Sequence, residues 1–152
     1  MSNTWYEIII EDELELSGFS VFNILSILFE IDRNFEILVC NLEGANVESI
    51  VNNKKYVSEE LPSLLGAVKS ASQFDWCDFF CYKENSVLSE NVSYREYPLL
   101  IEKSIFTLRC VDNCYFYLYF KELDKEMLME ILKLYKRIKI EEVDLRGVSY
   151  SN

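Results

Sequence analysis

The chain has 152 residues, half of them hydrophobic, with 26 acidic against 15 basic side chains, no histidine and a formal net charge of −11. That length and apolar content suffice for a single domain, residues 1–152, with one core built without disulfides or a structural metal, and the charge opposes nucleic acid and anionic membranes while favouring a basic protein partner. Without histidine there can be no Ser/His/Asp or Cys/His nucleophile system, no histidine base and no histidine-ligated zinc, and the four glycines lie too far apart for a Walker loop or a GxGxxG turn.

No apolar run is long enough to cross a bilayer, since the longest, "FSVFNILSILFEI" from Phe19 to Ile31, is interrupted by Ser and Asn. The start Met1-Ser2-Asn3 has no basic region of the kind that opens an export signal, so a cytoplasmic location is expected.

The first element is "WYEIIIEDELELSG". Tyr6, Ile8, Ile10, Leu14 and Leu16 share one parity and Glu7, Ile9, Glu11, Glu13 and Glu15 the other, which predicts a long strand, or two collinear short ones, ended by Gly18. If the strand is unbroken, Glu7, Glu11, Glu13 and Glu15 line one face, with Asp12 beside them. Residues 1–32 carry seven acids and no base, so these carboxylates are a solvated edge, a metal site, or a surface for a positively charged partner. Carboxylates two apart on a strand are separated by about 6.5–7 Å, and the run lacks the Asp/Asn-rich, glycine-containing pattern of a calcium loop. Both points weigh against a metal.

Ser20 is a candidate cap for a helix over residues 21–32, with Val21, Ile24, Leu25, Leu28 and Ile31 as its apolar stripe, widened by Phe22 and Phe29. "FEILVCNL", 35–42, predicts an inner strand, and Gly44 a turn. Residues 45–57 are ambiguous, with "NNKK" suiting a hairpin tip or an exposed loop. A second helix is expected over 59–71, capped by Ser58, with Pro62 in its first turn. "FDWCDFFCYK", 74–83, is a strand on which Trp76, Asp78, Phe80 and Tyr82 share a face, so Trp76 and Tyr82 around Asp78, with Asp75 adjoining, form a candidate anchor patch for a basic side chain.

Residues 84–98 read as a loop that could hold a short strand. "PLLIEKSIFTLRC" and "CYFYLYFKEL" then flank Val111-Asp112-Asn113 as a hairpin, with Tyr115, Tyr117 and Tyr119 on the face opposite Phe116, Leu118 and Phe120. The three tyrosines are either covered by a helix or part of a binding surface. Asp124 should cap a helix over 125–136, and "RIKIEEVDL", 137–145, closes as a strand.

The order predicts an α+β fold, a single-layer, mostly antiparallel sheet with about three helices packed on one face. Five cysteines, an odd number, favour reduced and mostly buried thiols. Cys77 and Cys81 on one strand would be roughly 13 Å apart, too far to share a metal, whereas Cys110 and Cys114 flank a turn and could approach. None of the ten lysines has an acid two positions before it, so the metal-nuclease pattern is missing.

A small acidic domain with no histidine and no catalytic constellation reads as a protein that works by binding another. In size, charge and composition it resembles bacterial immunity proteins, the small inhibitors that neutralise toxin domains delivered in contact-dependent inhibition. The missing catalytic constellation predicts no enzymatic activity and no cofactor, and the resemblance implies a tight one-to-one complex with a cognate basic toxin, often a nuclease. Glu7, Glu11, Asp12, Glu13, Glu15, Asp75, Trp76, Asp78 and Tyr82 are the candidate partner-binding residues. An adaptor subunit of a larger assembly is the alternative, as is a nucleic-acid mimic, which would spread its acids in two rows rather than cluster them.

Overall fold

In the computed structural model, which describes residues 4–12, 16–30, 34–83, 97–121 and 125–148, the alternating runs pair into one sheet. Its strands are β1 (Thr4–Glu11), β2 (Phe35–Ala45), β3 (Lys54–Tyr56), β4 (Gln73–Lys83), β5 (Phe106–Val111), β6 (Tyr115–Phe120) and β7 (Arg137–Asp144). They lie in the order β3-β2-β4-β5-β6-β1-β7, every neighbouring pair antiparallel. The helices are α1 (Gly18–Phe29), α2 (Leu61–Ser70), α3 (Tyr97–Lys103) and α4 (Lys125–Leu134). The fold is α+β with a single antiparallel sheet, as expected.

Period-two alternation divides the sheet into two faces. On the first, Ile8, Ile10, Ile37, Val39, Phe79, Leu108, Phe116 and Leu118 are buried against Val21, Ile24, Leu25 and Leu28 of α1, Leu64 and Val68 of α2, and Met127 and Ile131 of α4. Each such large apolar side chain contributes about 1.5–3 kcal/mol relative to exposure. On the second face Trp5, Leu38, Cys40, Phe80, Tyr82 and Tyr119 pack with Leu100 and Ile101 of α3 and with Leu145.

Helices therefore lie on both faces rather than one. The cause is α3, where a strand was expected from Pro98 onward. Leu100 and Ile101 are buried while Leu99, Glu102 and Lys103 are exposed, a helical rather than an alternating pattern, and the strand begins only at Phe106. The expected loop at 84–96 and the cap Asp124 lie outside the described residues.

β1 ends at Glu11, shorter than the run to Leu16 suggested. The Asp12 amide donates to the Cys114 carbonyl at 2.8 Å and the Leu16 amide to the Asn113 carbonyl at 2.6 Å, so the chain leaves the ladder and wraps the β5–β6 turn. Glu13 and Glu15 lie outside the described residues. Helix α1 then starts earlier than expected, because Ser17, not Ser20, is its cap; the Ser17 hydroxyl accepts from the Ser20 amide at 3.1 Å. Gly18 is the first helical residue and not a strand stop. A Cβ there would overlap the carbonyl oxygens of Val68 and Ala71 at the end of α2.

The ambiguous 45–57 segment yields β3, entered through Asn53 at φ 59°, whose amide donates to the Val39 carbonyl at 2.7 Å. The expected second helix is split into a 3₁₀ turn over Ser58–Glu60 and α2, with Pro62 in its first turn. In the β5–β6 turn Asp112 and Asn113 both have positive φ, 50° and 53°, the signature of a primed hairpin turn.

Candidate functional site

Among the described elements α3 and the Leu145 turn cover only part of the second face, and sequence-predicted residues gather in the remainder. Pairing registers place side chains in rows across it. One row runs Leu38, Phe80, Thr107, Tyr119, Glu7 and Glu141; the next runs Cys40, Asp78, Arg109, Tyr117, Ile9 and Lys139; a third runs Trp76, Val111, Tyr115, Glu11 and Arg137. Helix α3 and the Leu145 turn cover the first row's apolar members. Ile9, Trp76, Tyr115 and Tyr117 in the second and third rows remain half-buried, forming an aromatic shelf bordered by Glu7 and Glu11.

Behind the shelf lies a buried charge pair. Asp78 Oδ1 is 3.4 Å from Arg109 Nε, and neither side chain is exposed. Asp78 Oδ2 accepts a 2.6 Å hydrogen bond from Asn41 Nδ2. Asn41 sits at φ 58°, next to the register irregularity that separates Cys40 from Glu43 in β2, a conformation that asparagine tolerates better than most residues. The Arg109 guanidinium carbon is 5.5 Å from the centre of the Trp76 ring, so the buried cation backs the ring that the shelf presents.

The acidic border is held as well. Tyr119 Oη donates to Glu7 Oε2 at 2.7 Å, and Glu11 accepts from Arg137 Nη1 at 3.3 Å. Burial first, then the Glu7 hydrogen bond and charge, push the Tyr119 hydroxyl far above its usual range and keep it a donor. Burial and then Glu7 also raise the Tyr117 hydroxyl, partly offset by Arg109. Tyr115 and Tyr117 stack edge to face, 6.4 Å between centroids.

This geometry corrects the expected anchor patch. Asp78 is not a surface acid, because Arg109 and Asn41 occupy it; Tyr82 is 1% exposed and donates to the Leu100 carbonyl at 2.9 Å. Of that patch Trp76, half-buried, and the adjoining Asp75 reach the surface. Asp75 is exposed but bonded to Gln73 Nε2, and Asp12 is half-buried. Glu7 and Glu11 share a face as predicted. Arg109 and Asn41 were missed, although a lone arginine inside the apolar run "FTLRCV" and an aspartate, Asp78, set between Cys77 and Phe79 in β4 are the signal of a buried pair.

All five cysteines are free thiols, so Cys110 and Cys114 form no disulfide across their turn. Cys77 lies directly opposite Cys110 across β4 and β5, while Cys114 is in the turn. Burial raises the Cys77 and Cys110 thiols well above their usual value. Among the described residues no three Cys, Asp or Glu side chains are arranged to hold a metal, and no helix is long and apolar enough to cross a membrane.

No family model, no curated protein and no solved structure matches this chain.

Proposed function

We propose that this chain is a small acidic, cytoplasmic binding protein of the immunity type, which neutralises a cognate basic toxin, most simply a nuclease, by direct contact. The observation that carries the reading is the aromatic shelf of Trp76, Tyr115 and Tyr117 bordered by Glu7 and Glu11, in a chain of net charge −11. Half-buried tyrosine and tryptophan supply large rigid contact area at low entropic cost, and carboxylates at the border steer and orient a basic partner. Tyr119 and Arg137 fix the two carboxylates before binding, which lowers the ordering cost of association. The partner covers the shelf with a basic loop or helix whose cations meet Glu7 and Glu11. No bond is made or broken, and no cofactor takes part.

The test uses purified chain and the basic toxin domains encoded beside it, with titration calorimetry and co-expression. The expected result is one partner per chain, salt-sensitive affinity and rescue of cells expressing the toxin. Trp76→Ala and the Glu7→Lys/Glu11→Lys double variant should both lose rescue while remaining folded. Rescue undiminished in both variants would place the contact surface elsewhere.

A further inference from the structure

The sheet has one long open edge, and its sequence is complementary to itself. Among the described residues β7 is paired on one side only, with β1. It is largely exposed along its length, including Ile140 at 39%, so its outer amides and carbonyls form a template for another strand. The opposite edge, β3, is only three residues long.

Charge along this stretch is segregated about Ile140. Lys136, Arg137 and Lys139 precede it; Glu141, Glu142 and Asp144 follow it. A parallel neighbour of the same sequence would set like against like. An antiparallel neighbour centred on Ile140 sets each basic half against an acidic half, pairing Lys139 with Glu141 twice on the second face and Ile140 with itself on the first. Lys139 and Glu141 bond within the strand at 3.0 Å, with side chains 65% and 48% exposed, so both can turn to a neighbour without leaving a buried charge.

We infer that a second copy of this chain docks on β7, joining two sheets into one fourteen-stranded antiparallel sheet through a two-fold axis at Ile140. The axis is perpendicular to the sheet, so both Trp76–Tyr117 shelves face the same way and the dimer presents two identical binding surfaces side by side. An interface of one strand edge is small, so the dimer is weak and reversible. The inference does not depend on what the shelf binds.

Sedimentation equilibrium of the intact chain at low ionic strength tests it. The expected result is a monomer–dimer equilibrium that weakens with salt. Lys139→Glu or Glu141→Lys alone should weaken dimerisation about tenfold or more, since each places two like-charge pairs across the axis, and the combined swap should restore it. In a Cys114→Ser background, Ile140→Cys should give a disulfide-linked dimer on treatment with diamide, because residues facing each other across the axis lie within disulfide reach. A strictly monomeric chain at about 0.5 mM, where a millimolar dimer is already populated, overturns the inference. So does a dimer indifferent to both single reversals, which would mean that another surface, or no defined register, holds the copies.

Discussion

Asp78 and Arg109 face each other across β4 and β5 at 3.4 Å, both fully withdrawn from solvent, on the sheet face that carries the shelf. A pair so placed gives little net stability, because desolvation of two charges offsets their attraction. Losing one partner is another matter.

Arg109→Met alone should therefore destabilise the chain by about 3–5 kcal/mol, leaving Asp78 charged and buried. The combined Asp78→Leu/Arg109→Met variant should recover most of that loss. Urea unfolding of the two variants beside the wild type checks this. An Arg109→Met chain as stable as the wild type would mean the pair does not hold β4 to β5.

Tyr119→Phe removes the hydroxyl that fixes Glu7 and should cost about 0.5–1.5 kcal/mol of stability. Its effect on partner binding should vanish in a Glu7→Gln background, since the hydroxyl acts through that carboxylate. A double-mutant cycle read by calorimetry separates this from a simple loss of packing.

Gly18→Ala puts a methyl group against the Val68 and Ala71 carbonyls. The backbone there cannot swing away as a side chain would, so about 1–3 kcal/mol should be lost through overpacking between α1 and α2. Gly66→Ala is the control, because nothing lies within 4 Å of a Cβ at that position; in a helix it should gain about 0.5–1 kcal/mol. Thermal melts of both give opposite signs.

Alkaline pH should weaken the fold. Burial, and then the Asp78 charge, push the Cys40 thiol from 9.0 to about 12, and burial raises Cys77 and Cys110 well above 9.0. Above pH 9 the unfolded chain loses these protons while the folded chain keeps them, so the stabilisation is complete below pH 9 and is lost as pH rises, by up to about 1.4 kcal/mol per pH unit for each thiol. Urea midpoints between pH 7 and 10 should fall accordingly. In the native state a thiol reagent should modify the half-buried Cys114 first, and the other four only on unfolding.

Much of the fold is legible along the chain because strand alternation and turn chemistry are local. The parity of Tyr6–Ile8–Ile10, the Asp112-Asn113 turn and the apolar stripe of α1 each require only a few neighbouring residues to be read. The helix at Tyr97–Lys103 was misread for the same reason: a short apolar run reads as strand or helix until its partner is known, and Leu100 and Ile101 become helical by packing on the second face.

The amino-acid sequence by itself determined the α+β class, the acidic and histidine-free chemistry, the shared face of Glu7 and Glu11, and the self-complementary charge of β7. Only the tertiary structure decided which acids are available. Strand pairing sets Asp78 opposite Arg109 and Glu11 opposite Arg137, partners 31 and 126 residues away, and sheet order leaves β7 on the edge. Charge is carried by individual residues, but its exposure depends on which strands become neighbours, and that is settled by burial over the whole sheet.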